Sequence, residues 1–313
     1  MKDKEKNFIS AVIYVHNSER WIGEFLENII RILECNFEQS EIICVNDGTK
    51  DDSVCVIREI SKKAVSTNIS ILNMSAYHGL EAAMGAGVDL AIGDFVLEFD
   101  NVVQDFDNEV VMELYNKALQ GYDIVSASPD CVQTVRSKIF YAILNKAAYA
   151  AYEIRSEKFR ILSRRVINRV GSMNKSVPYR KMVYANCGLP GFHIRYSRKI
   201  FYKGGGTDRS EKKYRRNLAV DTLILFTQIG YQAGIGITMF MILIAILMMG
   251  YSVFSYITSK PVDGWTTIIL FMSFAFFGLF GILTVIIKYL QIIVNLVFRE
   301  KDYSYKEIEK LTK

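Results

Sequence analysis

Apolar and polar positions alternate along the first hundred residues with two different periods. Residues 8–15 are an apolar, β-rich run closed by the polar break His16-Asn17-Ser18-Glu19. Beyond it Ile22, Phe25, Leu26, Ile29, Ile30 and Leu33 recur at helical spacing, with Asn17 or Ser18 placed to cap the helix. A second strand over 41–45 ends in Asn46-Asp47-Gly48-Thr49-Lys50-Asp51-Asp52, and a helix follows to about Lys63. Residues 69–74 predict a third strand, 78–91 a helix rich in Ala and Gly, and 95–99 a fourth strand. Strands alternating with helices of this length predict a mostly parallel α/β sheet.

The polar residues collect at successive strand ends: His16 and Asn17, Asn46 and Asp47, Tyr77 and His78, and Asp100. In open α/β sheets the carboxyl edge is where ligands bind. No Gly-x-Gly-x-x-Gly follows the first strand and no Walker loop occurs, so a phosphate cradle of either kind is excluded. The strand at 95–99 ends abruptly in Asp100-Asn101-Val102-Val103-Gln104-Asp105. Asp100 and Gln104 together could offer oxygen ligands to a hard cation such as Mg2+ or Mn2+. The alternative is a strand end followed by a polar turn.

Composition changes the picture toward the end of the chain. Half of the 313 residues are apolar and the mean hydropathy is +0.15. Residues 229–259 carry no charge and neither do 265–287. Each run is long enough to cross a hydrocarbon core of about 30 Å as a helix. Two transmembrane helices are therefore expected, joined by Lys260-Pro261-Val262-Asp263-Gly264. Basic residues flank the pair, so the positive-inside rule puts both termini in the cytoplasm and makes the protein multi-pass in the plasma membrane. Residues 132–155 and 211–228 are apolar at helical spacing with interspersed cations, as expected of helices lying in the membrane interface. An ordinary core helix is the alternative for the first. The expected organisation is a cytoplasmic domain over 1–210, a juxtamembrane helix over 211–228, spans at 229–259 and 265–298, and a cytoplasmic tail over 299–313. The charged opening of the chain argues against a signal peptide. Five scattered cysteines without a Cys-x-x-Cys pair argue against a disulfide framework or a zinc site. A net charge of +5 without a nucleic-acid-binding motif suits an anionic lipid surface and no nucleic acid.

Taken in order, these motifs resemble the family 2 glycosyltransferases, which have the GT-A fold. The stretch 11–17 looks like their opening strand, Val45-Asn46-Asp47-Gly48-Thr49-Lys50-Asp51 like their Asp-Asp-Gly-Ser-x-Asp turn, and 79–100 like the lead into their Asp-x-Asp motif. Phe159-Arg160-Ile161-Leu162-Ser163-Arg164 is similar to the Asp-Phe-Arg-Leu-x-x-Arg segment of the polyprenyl-phosphate branch, as are Ser137-Lys138-Ile139-Phe140-Tyr141 and Lys213-Tyr214. The resemblance implies inverting transfer of a sugar, expected to be a UDP-linked hexose, to a polyprenyl phosphate for cell-surface glycan assembly. It implies a nucleotide site of Tyr14, His16, Asn17, Val45, Asp47, Tyr77, Asp100, Asn101 and Gln104. Asp100 and Gln104 would hold Mg2+ or Mn2+. Catalysis would fall to Asp100, Arg136, Arg160 and Arg164, and the acceptor phosphate to Arg136, Ser137, Arg160, Arg164, Arg209 and Lys213. A homo-oligomer is compatible with this reading.

The chain also departs from the pattern. Asn46 replaces the first Asp of the Asp-Asp-Gly turn, Val102 stands where a second metal-binding Asp is usual, and Lys158 replaces an Asp. Metal affinity is expected to fall accordingly. Two competing readings follow: a catalytically silent relative that binds nucleotide or lipid or scaffolds a complex, and a transferase to a sugar hydroxyl. The Gln-x-x-Arg-Trp sequence of processive synthases is absent.

Overall fold

The structure is a computed structural model that describes residues 4–130, 135–147, 154–172, 179–198, 264–297 and 305–312, with a few isolated positions between 217 and 247. The chain divides into two compact units, one of Met1–Ala219 together with Arg299–Lys313, the other of Val220–Phe298.

The first unit is built as the alternation predicts. β1 (Ile9–Val15), α1 (Glu19–Asn36), β2 (Ser40–Asn46), α2 (Ser53–Ser61), β3 (Thr67–Met74), α3 (Leu80–Leu90) and β4 (Phe95–Phe99) follow one another, and these four strands pair in parallel. Then come α4 (Asn108–Leu119), β5 (Ile124–Pro129), α5 (Val135–Ala147), β6 (Phe159–Ser163), α6 (Arg164–Ser172), α7 (Arg180–Asn186) and β7 (Gly191–Tyr196). One eight-stranded sheet results, in the order β7-β5-β6-β4-β1-β2-β3-β8. β6 runs antiparallel to β4 and β5, while β7 runs parallel to β5, so β4, β5 and β7 all end at the same edge.

Helices cover both faces, which is why the central strands are apolar throughout instead of alternating. One face packs under α1 and α4, through Phe25, Leu26, Ile29, Leu33, Leu114 and Tyr115. The other packs under α3, where Val12, Val45 and Val96 meet Ala83, Met84 and Ala86. The small residues of α3 have a steric reason: a Cβ on Gly87 would lie 2.5 Å from Val12 Cγ1 and 2.6 Å from Val45 Cγ2. The close approach seats the carboxyl ends of β1 and β2 directly beside the start of that helix.

One expectation needs correction. The segment expected to be a tail supplies β8 (Tyr305–Lys310), antiparallel to β3 at the sheet edge. Tyr-Lys-Glu-Ile-Glu-Lys lacks an apolar run, so its strand character comes from the partner and not from its own pattern. It is fastened by a two-pronged Arg58–Glu309 contact at 2.9 and 2.8 Å, by the Ile69 N–H donating to Thr312 Oγ1 at 2.7 Å, and by Leu311 packing on the core. Of the helix expected over 132–155, the described residues contain α5 (Val135–Ala147), with Val135 and Ile139 exposed and Leu144 buried. The Asn145 side-chain amide bonds the backbone N–H and C=O of Ile154.

The juxtamembrane helix expected over 211–228 and most of the span expected over 229–259 lie outside the described residues. In the second unit, α8 (Gly264–Val297) has a backbone of 34 residues with Lys288 its single charged residue. Among the described residues no helix is long and apolar enough to cross a membrane. Many side chains of α8 fall outside that set, and its apolar character is a statement of the sequence.

Candidate active site

The carboxyl edge of the parallel strands carries two separate constellations. The first lies where β1 and β2 end. Asp47 is fully buried, and each carboxylate oxygen is engaged. Oδ1 accepts the His78 N–H at 2.7 Å, and Oδ2 accepts the Gly79 N–H at 2.9 Å and the Tyr14 hydroxyl at 3.0 Å. Both oxygens of the residue expected to read a nucleotide base are thus engaged by the chain itself. Its charge satisfies the amides that open α3, as a carboxylate at a helix start does. His16 Nδ1 lies 2.7 Å from the Asp47 carbonyl, and its ring meets that of Tyr77 at 4.8 Å. Asn17 adopts a left-handed backbone and accepts the Lys50 N–H with its Oδ1 at 3.0 Å. Tyr14, His16, Asp47 and Tyr77 therefore do come together, whereas the Val45 side chain is buried against α3.

The second constellation surrounds Asp100. Arg160 on β6 lies across from Glu98 on β4 in the sheet register, and α7 adds Arg180 and Lys181. Asp100 Oδ2 accepts from Arg160 Nη2 at 3.0 Å and Oδ1 from Arg180 Nη2 at 2.9 Å, with Lys181 Nζ at 3.8 Å. Arg160 also meets Glu98 at 3.0 Å and Glu157 at 3.4 Å, while Arg180 holds Glu81 at 3.0 Å and Glu98 at 2.8 Å. The Tyr184 hydroxyl donates to Glu98 at 2.8 Å and its ring packs under the Arg160 guanidinium. Arg160 Nη1 meets Glu98 Oε2 at 3.0 Å and Arg180 Nη1 meets Glu98 Oε1 at 2.8 Å, both at ion-pair distance without the alignment of a hydrogen bond. Burial works to raise the Asp100 carboxyl, but Arg160, Arg180 and Lys181 outweigh it and hold it down at about 2. Burial likewise opposes the charge of Arg160, yet Glu157, Asp100 and Glu98 raise its pKa above the usual guanidinium range. Burial, with the Glu98 charge beside it, pushes the Tyr184 phenol up.

Several expected site residues are elsewhere. Arg160 has no exposed surface and is committed to carboxylates, so it orders the site instead of receiving an acceptor phosphate. Arg164 follows the far end of β6, across from the start of β4, and donates to the backbone carbonyls of Ala91 and Gly93. It closes the amino edge of the sheet, a full strand away from Asp100. Gln104 donates to Asn108 at 2.9 Å and lines a groove with Asn28 and Arg31 of α1. Asn101 turns back to accept the Val103 N–H at 3.0 Å. Val102 is buried among Phe99, Phe106 and their neighbours. Ser137 lies on α5. The side chain of Arg136, and all of Arg209 and Lys213, are outside the described residues.

These positions decide the metal question. Asp100 has both oxygens occupied by guanidinium groups, Gln104 is turned to Asn108, and position 102 offers no oxygen. Among the described residues no group of three or more His, Cys, Asp or Glu side chains could hold a metal ion. The expected donor set of Asp100 and Gln104 does not fit Mg2+ or Mn2+.

Sequence reasoning missed Glu81, Glu98, Glu157, Arg180, Lys181 and Tyr184. A usable signal was present: Glu98 and Arg160 are charges inside otherwise apolar strands, and a buried charge requires a partner.

A bactoprenol glucosyl transferase of Shigella phage SfV is 26% identical over 310 residues, covering 96% of this chain and 98% of that protein. An uncharacterized glycosyltransferase of Synechocystis sp. is 28% identical over 202 residues, 63% of this chain and 63% of its own length. Among solved structures, a mannosyltransferase from Pyrobaculum calidifontis in complex with GDP-Man and Mn2+ is 14% identical, with a TM-score of 0.47 over 89% of this chain and 88% of that one. Residues 10–186, more than half of the chain, match Glycosyl transferase family 2, and the protein belongs to that family.

Proposed function

We propose that this glycosyltransferase moves a sugar, a UDP-linked hexose, from a nucleotide diphosphate to a polyprenyl phosphate. The observation that carries the reading is the state of Asp100. Its two oxygens are engaged by Arg160 and Arg180, with Lys181 Nζ at 3.8 Å, and a carboxylate so paired is a weak base. Glu81, Glu98 and Glu157 are likewise tied to Arg160, Arg180 or Lys181. Such a site is poorly equipped to deprotonate a sugar hydroxyl. A phosphate monoester needs no deprotonation, since its second pKa is about 6. The likeness to a bactoprenol glucosyl transferase over nearly the whole of both chains supports the same acceptor class.

In this reading the chain supplies orientation and charge. Asp47 fixes the loop into α3, while Tyr14, His16 and Tyr77 flank the nucleotide. The Asp100 cluster sets the shape of the β4 exit. Cations stabilise the leaving diphosphate as the sugar–phosphate bond breaks and the acceptor oxygen attacks.

The acceptor is a lipid, and a membrane hairpin supports access to it. Residues 220–298 leave and rejoin the same compact unit, because β8 belongs to the sheet of the first unit. Any membrane crossing between them is then even in number, with both ends of the chain on one side. A helix of 34 residues is about 50 Å long, more than the roughly 30 Å of a hydrocarbon core. The basic flanks favour the cytoplasmic side for both ends.

The test is to incubate the full chain in detergent with radiolabelled nucleotide sugars and undecaprenyl phosphate and to extract with butanol. Label in the organic phase is the expected result. Label on a water-soluble glycoside would favour transfer to a hydroxyl. Absence of product from every common donor would favour the catalytically silent relative, the reading to which Val102 in the core lends weight.

A further inference from the structure

A third polar cluster lies at the same edge, and its charge balance is opposite to that around Asp100. Four carboxylates face three cations around Asp100, and that cluster is closed to solvent. Asp105, at the end of the β4 exit loop, is also buried, but one carboxylate there carries two cations. Lys158 Nζ and Arg198 Nε, the latter at 3.3 Å, share its Oδ2, and the Tyr196 hydroxyl donates to Oδ1 at 2.9 Å. The side chains of Lys158 and Arg198 remain 29% and 42% exposed.

The topology explains the convergence. β6 is antiparallel to β4, so Lys158, just ahead of it, sits at the carboxyl edge, where its carbonyl accepts the Asp100 N–H at 3.1 Å. β7 ends at the same edge, and Arg198 follows it. Three segments thus bring a net positive, partly exposed pair beside the strand end that ligands would approach. Asp105 and Tyr196 brace the pair from the buried side. Arg matches phosphate with its planar fork, and Lys adds a mobile point charge with three donors.

We propose that Lys158 and Arg198, braced by Asp105, hold a phosphate group at this edge and that no divalent cation bridges it. The inference rests on the proposed transferase function and replaces the metal expected of Asp100 and Gln104 with the chain's own cations. The phosphate belongs either to the nucleoside diphosphate or to the polyprenyl acceptor, and the chemistry of recognition is the same for both.

The experiment measures binding to the full chain in detergent by calorimetry. The probes are UDP, GDP and a short-chain polyprenyl phosphate, each with Mn2+ and with EDTA. The expected result is that Mn2+ changes each Kd by no more than about twofold. Lys158→Gln and Arg198→Gln should each weaken at least one probe about tenfold, and the probe affected names the source of the phosphate. Lys158→Arg should hold binding to within about threefold, and Lys158→Gln should lose it at unchanged Tm, a loss that a merely structural role for the amine would not give. Should either Gln variant fail to fold, Arg198→Lys carries the comparison, with phosphate affinity weakened at unchanged Tm as the expected result. The proposal is overturned if Mn2+ tightens nucleotide binding more than tenfold, or if every folded variant binds all probes like the wild type. In either case binding by the wild type leaves the transferase reading standing. Wild-type protein that binds no probe under any condition overturns that reading and this one together.

Discussion

Arg160 of β6 and Glu98 of β4 face each other across the sheet, and neither side chain has any exposed surface. An ion pair so placed is costly to desolvate, and its value lies in what it arranges. Here it joins the end of β4 to β6, and Arg180 of α7 reaches the same Glu98 and, with Lys181, the neighbouring Asp100.

Truncating one partner should be far worse than losing a surface charge. Arg160→Ala leaves Glu98, Asp100 and Glu157 facing each other in a buried setting, and roughly 3–5 kcal/mol of stability should be lost. A thermal melt of the full chain would read this as a large drop in Tm. A shift of only a degree or two would mean that the cluster is dispensable.

Acid should attack the same cluster in a defined window. The Asp100 carboxyl lies below its ordinary 3.8, at about 2 in the folded protein. Its contribution is fully present above about pH 4 and is lost as pH falls through 2, amounting to roughly 2 kcal/mol. The stability difference between wild type and Asp100→Asn should shrink over that window, as followed by chemical denaturation at stepped pH. A difference that stays constant down to pH 2 would contradict the assigned partners.

Arg164 should behave as a structural residue. Arg164→Gln removes donors from the Ala91 and Gly93 carbonyls, and about 1–3 kcal/mol of stability should go with them. Affinity for UDP should stay within about twofold of the wild type by titration. A tenfold loss at unchanged Tm would return Arg164 to the phosphate-binding set.

Restoring the missing carboxylate should not restore a metal site. Val102→Asp places an unpaired charge beside Phe99 and Phe106, and roughly 3–5 kcal/mol should be lost. Manganese titration monitored by electron paramagnetic resonance should show no stoichiometric binding. Tight binding of one Mn2+ per chain would mean that the β4 exit loop rearranges to bring position 102 to the surface.

Much of the sheet was legible because its first half repeats one unit. The runs ending at Val15, Val45, Met74 and Phe99 are apolar, separated by helical periods, and closed by polar residues, so existence and order both followed from spacing. The site was legible only in part. Asp47 and Asp100 stand where a strand-end argument puts them, but a sequence does not say which groups answer a carboxylate. The His78 and Gly79 amides that occupy Asp47 come from a loop 31 and 32 positions away. The guanidinium that clamps Asp100 Oδ1 comes from 80 positions away. Val102 shows the complementary failure, since a motif read letter by letter cannot reveal that one position points into the core. β8 escaped because its alternating charges match a solvated tail as well as they match an edge strand, where such charges discourage further pairing.

The place of β8 in the sheet has a consequence for how the molecule is made. Synthesis proceeds from the amino end, and domains ordinarily fold as they emerge. Here the edge of β3 stays open until residues 305–310 leave the ribosome, after the whole apolar stretch of 220–298 has been delivered. Maturation of the sheet is therefore coupled to disposal of that stretch. A nascent chain stalled short of Tyr305 would leave one edge of β3 open, while a chain extended through Lys310 covers it.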